Sequence, residues 1–251
     1  MRNEVTYFNA KSKAYRDEYD RETPEGYSFR VRREKCLDLT PDNTSVIDIA
    51  SGPGVMIRGL RAKNCTVTCV DAAPEMIARA KEEFPDSDVV RSLVGDAYGT
   101  ELPTGSYDVA IAMGLIEYLE YEGKFLDEAR RLLKPGGALI VTFPNYYSPW
   151  RAMGRLGVLV MRTLRALLGR KKPIIITHRE YTLRRARALL DAHGFTPESA
   201  WYYNFKLVPA PLDVKFPRST VWQSRIFEHL DSIPFLRLIG TGFIVKAIRR
   251  A

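Results

Sequence analysis

The chain has 251 residues, of which 45% are hydrophobic and 27% charged, ordinary figures for a globular protein with a sizeable core. Its first residues, MRNEVTYFNAKSKAYRDEYD, contain no apolar stretch, and no run of about 18 uncharged apolar residues occurs anywhere, so a secretory leader and a membrane span are both excluded as readings. The net charge of +8 is uneven: residues 1–125 hold 16 Lys/Arg against 22 Asp/Glu, whereas residues 126–251 hold 22 against 8, so the second half is expected to face something anionic.

Residues 1–40 read as a helical cap in which Tyr7, Phe8, Tyr15, Tyr19 and Tyr27 alternate with charges. Strands and helices then alternate. SVIDIA (45–50) is a short buried strand and VMIRGLRAK (55–63) a helix. CTVTCVD (65–71) is a strand and PEMIARAKEEF (74–84) a helix, with Pro74 suited to its first turn. VVRSLVGD (89–96) and YDVAIAM (107–113) are strands, and KFLDEARRLLK (124–134) is a helix that Pro135-Gly136-Gly137 should stop before the strand ALIVTF (138–143). After Pro144 the pattern lapses for some 35 residues. A helix over Leu183–Ala192 follows, with Thr182 to start it and Gly194 to end it. WYYNF (201–205) and GFIVKAI (242–248) are the last strand candidates. Such alternation implies βαβ units and a mostly parallel sheet covered on both faces, with one domain spanning 1–251 and an insertion at 146–181. Cys36, Cys65 and Cys69 are few, odd in number and not at metal-ligand spacing; free thiols in a reducing, cytoplasmic setting are expected, with no metal site.

The functional signal is VIDIASGPG (46–54). Ligands of an open parallel sheet bind outside the carboxyl ends of its strands, and the two glycines stand at such an end. The dinucleotide fingerprint would need Gly or Ala where Ile57 stands. Asp48, inside the strand, would repel a pyrophosphate and suits a cation. Asp71 ends the second strand, where it can accept from ribose hydroxyls, and Asp96 ends the third, where it can accept from an exocyclic amine. A positive charge, a ribose and an aminated base together describe S-adenosylmethionine.

On these residues the chain resembles the class I S-adenosylmethionine-dependent methyltransferases, through VIDIASGPG, VTCVDAAPEMI, VGDAYGTELPTGSYDVAIAMGLIEYL and LLKPGGALIVTFPN in order over roughly 45–145. Ala50-Ser51 and Pro53 depart mildly from the commoner residues of the first motif. The resemblance implies a Rossmann-like, doubly wound α/β sheet of seven strands, the last antiparallel, with a helical insertion after the fifth. It further implies a cofactor site of Asp48, Ala50, Ser51, Gly52 and Gly54, with Asp71 on the ribose, Ala72 or Met76 beside the adenine, Asp96 and Ala97 on its amine, and Met113 beside the methionine portion. Tyr15 of the cap is expected to close over it. If the acceptor is a hydroxyl, His178 and Glu117 are the candidate bases.

The insertion carries a second signal. On a helix over 150–168, Arg151, Arg155, Arg162 and Arg165 fall within about 80°, the rest of the surface is apolar, and Arg170-Lys171-Lys172 follow. A broad apolar face with a basic stripe suits a helix lying in an anionic membrane interface; a lid helix packed on the core needs the same pattern. The membrane-associated quinone-biosynthesis methyltransferases resemble this arrangement. The expectation is therefore a cytoplasmic enzyme, peripheral on a membrane's inner face, with a lipid-linked or quinone-like acceptor. A soluble metabolite or RNA as acceptor, and a catalytically silent cofactor-binding subunit, are the alternatives; nucleic acid is disfavoured by the lack of stacking aromatics on the basic helix.

Overall fold

The computed structural model describes residues 3–167, 178–208 and 212–251. Two helices come first, α1 (Asn3–Asp20) and α2 (Pro24–Leu39). The Thr23 hydroxyl accepts from Gly26 N at 3.0 Å and Pro24 fills the first turn, so α2 starts where a cap and an N1 proline coincide. There follow β1 (Ser45–Ile49), α3 (Ile57–Ala62), β2 (Thr66–Asp71), α4 (Pro74–Glu83), β3 (Val90–Val94), β4 (Tyr107–Ala112), α5 (Glu122–Leu132), β5 (Leu133–Pro144), α6 (Pro149–Leu167), α7 (Leu183–Ala192), β6 (Phe195–Tyr203), α8 (Leu212–Lys215), α9 (Pro217–Phe227) and β7 (Gly242–Arg249).

The seven strands lie in the order β3-β2-β1-β4-β5-β7-β6, and β7 runs antiparallel to both of its neighbours, as the resemblance implies. From β1 the chain winds outward through β2 and β3, then returns to β4 on the other side. The carboxyl ends of β1 and β4 therefore flank the switch point, where a parallel sheet opens a crevice. Side chains alternate across the sheet. Ile47 and Ile49 enter the core shared with Phe125, Leu126 and Leu190, whereas Val46 joins Cys36, Met56 and Leu60 on the opposite face. Asp48 shares the face of Val46, beneath the N-terminal helices.

Those helices are fastened over the crevice. Tyr15 and Tyr19 of α1 pack on Phe29 of α2 with ring centroids 5.5 and 5.0 Å apart. Asn9 Oδ1 accepts from Glu75 N at 3.2 Å, and Arg16 pairs with Glu83, so both ends of α4 hold α1.

Two expectations need correction. Pro135-Gly136-Gly137 does not stop a helix: α5 ends at Leu132, and the triplet lies within β5. Lys134 precedes a proline and is driven out of the helical region, which moves the boundary back. WYYNF is only the end of β6, which starts at Phe195 directly after Gly194 (φ 80°). Within the lapse after Pro144 the helix expected over 150–168 is present as α6, 19 residues long. Helix α7 has the expected bounds, with the Thr182 hydroxyl accepting from Arg185 N at 3.1 Å. All three cysteines are buried, free thiols.

Candidate active site

The turn after β1 is held in an unusual shape. Ala50 (φ 60°), Gly52 (φ 54°) and Gly54 (φ 73°) are all left-handed. For Ala50 this costs on the order of 1–3 kcal/mol, a strain that surrounding contacts must hold. The Ala50 and Ser51 amides donate to Val70 O at 2.7 and 3.2 Å, tying the turn to the end of β2. Asp71 completes the tie: its Oδ2 accepts from Gly52 N and its Oδ1 from Ala73 N, each at 2.8 Å.

Beside this turn opens a cleft of about 980 Å³, solvent at its mouth included. Of the residues expected to form a cofactor site, Tyr15, Asp48, Ala50, Ser51, Gly52, Asp71, Ala72, Met76, Asp96, Ala97 and Met113 line it. Gly54 does not. A Cβ there would stand 2.6 Å from Ile57 Cδ1 and 3.2 Å from Ala80 Cβ, so this glycine serves the packing of α3 and α4. A Cβ on Gly52 would meet only Tyr15, at 3.8 Å, and backbone is exposed to the cleft there.

Asp48 is 1% exposed and its Oδ2 has no hydrogen-bond partner among the described residues. Burial, reinforced by the charge of Asp71, pushes its pKa up to about 7. Asp71 is also raised by burial, against the two amides that favour its ionised form. Asp96 is exposed, and its Oδ1 accepts from Tyr98 N at 3.0 Å.

His178 and Glu117 are not in this cleft. They line an adjoining chamber of about 1960 Å³, open space included, which shares Phe8, Tyr15, Gly114 and Tyr118 with it. The His178 ring meets Tyr118 edge-on at 4.9 Å, and Arg179 N donates to Glu117 O at 3.2 Å. Burial, with Arg151 nearby, lowers the His178 pKa, which keeps the imidazole neutral at pH 7. Glu117 is buried with Oε2 unpartnered, and burial raises its pKa against the pull of Arg32 and Arg151. Sequence reasoning missed Trp150, Tyr203 and Lys206, which line the chamber together with Arg32. Gly114 (φ 71°) was missed too. A Cβ there would stand 2.9 Å from Arg32 Nη1, so the glycine admits the guanidinium.

The basic stripe on α6 begins with two arginines that the protein itself engages. Arg151 Nε donates to Thr241 O at 2.6 Å. Arg155, which stays exposed, pairs with Glu180 and lies over the Tyr146 ring. The helix also presents an apolar surface: Met153, Leu156, Leu159, Val160 and Met161 are exposed, Leu156 and Leu159 by 61% and 62%. The side chains of Arg162 and Arg165, and the whole of Arg170-Lys171-Lys172, lie outside the described residues.

Residues 47–141 match the family described as a methyltransferase domain. The chain carries a class I S-adenosylmethionine-dependent methyltransferase domain. It is 36% identical over 122 residues to demethylmenaquinone methyltransferase of Thermus thermophilus, covering 46% of this chain and 54% of that one. It is 30% identical over 139 residues to the chloroplastic 2-methyl-6-phytyl-1,4-hydroquinone methyltransferase of Arabidopsis thaliana, covering 53% and 40%. The chain thus spans roughly half or less of the length of these relatives. Among solved structures, Burkholderia thailandensis 1,6-didemethyltoxoflavin-N1-methyltransferase, with S-adenosylhomocysteine bound, superposes with a TM-score of 0.61 over 98% of this chain and 87% of that one, at 16% identity.

The cleft fits the methyltransferase cofactor. A buried carboxylate oxygen without a donor, beside open space, suits a ligand with a cationic centre. The Cβ-free backbone at Gly52 gives close approach, and Ala72, Met76 and Ala97 offer small or pliable walls for a flat ring. S-adenosylmethionine supplies an electrophilic methyl on a sulfonium.

Proposed function

We propose that the chain transfers a methyl group to a membrane-associated small molecule, lipid-linked or quinone-like, bound in the chamber beside the cofactor cleft. Asp48 would face the amino-acid portion of the cofactor and Asp71 its ribose. Met76 and Ala72 would flank the adenine, Asp96 and Ala97 its amine, and Met113 the methionine portion. Tyr15, shared by both spaces, would divide donor from acceptor. A neutral imidazole at the chamber wall suits His178 to take the acceptor's proton, with buried Glu117 as its polar neighbour.

The observation that carries the acceptor class is α6. Its first turn supplies Trp150 and Arg151 to the chamber wall, and its later turns expose Leu156, Leu159, Val160 and Met161. None of the described helices is long and apolar enough to cross a membrane. A helix with one end in an acceptor site and an apolar face outside can seat that site against a lipid surface. Phe216, beside the chamber residue Pro217, adds another exposed ring at the rim. The names of the quinone-methylating relatives support the same class.

Vesicle co-sedimentation tests this reading. The wild type should sediment with vesicles containing anionic lipid. Leu156→Ser with Leu159→Ser should abolish binding, while Arg162→Glu with Arg165→Glu should weaken it on anionic vesicles alone. Affinity for S-adenosylhomocysteine should stay the same in both. A wild type that stays in the supernatant with every vesicle type would sink the membrane reading and leave the cofactor site standing.

A further inference from the structure

The acceptor chamber contains buried cations that the protein itself leaves poorly paired. Arg32 is 9% exposed, and no carboxylate lies within ion-pair distance of it among the described residues. Its Nε lacks an acceptor, its guanidinium lies 5.2 Å over the Phe29 ring, and the neighbours around it are the neutral Tyr203, Tyr19 and Tyr15, with Glu117 beyond them. Lys206 is 7% exposed; it lies 4.6 Å over the Trp150 ring, and its nearest carboxylate, Asp213, is at 4.0 Å. Arg151, on the same wall, has only a carbonyl as its recorded partner. Trp150 Nε1 is a further buried donor without a partner.

A buried guanidinium or ammonium costs several kcal/mol unless charge and hydrogen bonds answer it. The acids of the chamber answer only in part. Glu117 is pushed towards its neutral form by burial. Glu18 is engaged by Arg21 and Thr23, and Glu25 stands on α2 near the opening. Asp213 has other interactions besides Lys206. Donors therefore exceed the acceptors placed to meet them, and the surplus faces a space large enough for a ligand.

We propose, building on the methyltransferase reading above, that the acceptor carries an oxyanion, a carboxylate or a phosphate, which Arg32, Lys206 and the Trp150 N–H hold while the methylated atom faces the cofactor cleft past Gly114. The anion supplies the missing charge, and these residues select acidic acceptors over neutral analogues of the same shape.

The test is calorimetry on the full chain saturated with S-adenosylhomocysteine, titrated with benzoate, phenyl phosphate and neutral benzyl alcohol. At least one of the two anions should bind about tenfold tighter than the alcohol, or better, and which of them wins tells carboxylate from phosphate. Lys206→Met with Asp213→Asn removes a cation and its nearest acid together, so the chamber's net charge stays the same and no buried carboxylate is left without its cation. It should cost that anion about tenfold while leaving benzyl alcohol and S-adenosylhomocysteine unchanged. Arg32→Lys keeps the charge but loses the fork, and should weaken the anion by an intermediate factor. Benzyl alcohol binding as tightly as both anions, or no anion binding at all, would overturn the proposal. Failure of S-adenosylhomocysteine itself to bind would instead break the methyltransferase reading on which it rests.

Discussion

The cofactor cleft and the acceptor chamber meet along four shared residues but are assembled from different kinds of sequence. Beyond three aromatics and a valine of α1, the cleft takes its walls from the ends of β1 to β4 and the turns that follow, within residues 48–119. Its determinants are local: an acid in a strand, a left-handed turn, an acid closing the next strand. The chamber gathers α1, α2, the end of β4, the start of α6, His178, the end of β6, α8 and Thr241. No short stretch encodes it. The cleft presents acids to a cation and the chamber presents cations to its occupant, so the two spaces have opposite electrostatic demands within one crevice.

The largest effect should come from His178, the proton acceptor proposed for the chamber. His178→Asn should lower kcat by about 10²-fold or more while S-adenosylmethionine affinity stays within twofold, as general-base loss requires. An equal fall in both would move His178 from chemistry to cofactor binding. Next is Asp71→Ala, which unties two amides and removes the expected ribose partner. Cofactor affinity should drop by about 1–3 kcal/mol, roughly 5- to 150-fold, in a calorimetric titration. The two glycines then split the cleft from its scaffold. Gly54→Ala forces a Cβ into Ile57 and Ala80 and should lower stability by about 1–3 kcal/mol with little change in affinity for the folded protein. Gly52→Val should do the reverse in emphasis, blocking the cleft more than it destabilises the fold. The same outcome for both variants would erase the distinction between a lining and a packing glycine.

Asp48 gives the smallest effect and the clearest sign. Its folded pKa of about 7 lies above the ordinary 3.8. Between those values the ligand-free native state holds a proton that the unfolded chain has released, so this group's contribution to stability falls as pH rises across the window. Asp48→Asn should therefore melt about 2–4 °C higher than the wild type at pH 8, with the difference vanishing near pH 4. A cationic ligand favours the ionised carboxylate, so wild-type affinity for S-adenosylmethionine should climb through pH 7 while that of Asp48→Asn stays flat. Parallel profiles would remove Asp48 from the cation's site.

The legibility of the molecule follows the same division. Ser45–Ile49 was readable from its apolar run, Pro74–Glu83 from its first-turn proline and Leu183–Ala192 from its Thr182 cap. Eleven of the twelve cofactor candidates line one cleft because strand ends converge in any doubly wound sheet. Gly54 falls outside it because a glycine that clears a neighbouring helix has the same sequence form as one that clears a ligand. The arginines of α6 show a related limit. Helical spacing shows which residues share a face, but it could not show that Thr241 and Glu180, distant in sequence, would engage Arg151 and Arg155. Lys206 and Trp150 gave no local signal at all; they matter because β6 and α6 bring them to one wall.

One titration tests the central claim most directly: S-adenosylmethionine, S-adenosylhomocysteine and NAD added in turn to wild-type protein and to Asp71→Ala. The account predicts one site per chain for both methyl-cycle ligands, about fivefold or more weaker in Asp71→Ala, and no response to NAD. Saturation by NAD with silence towards both others, or equal affinities in the two proteins, would contradict it.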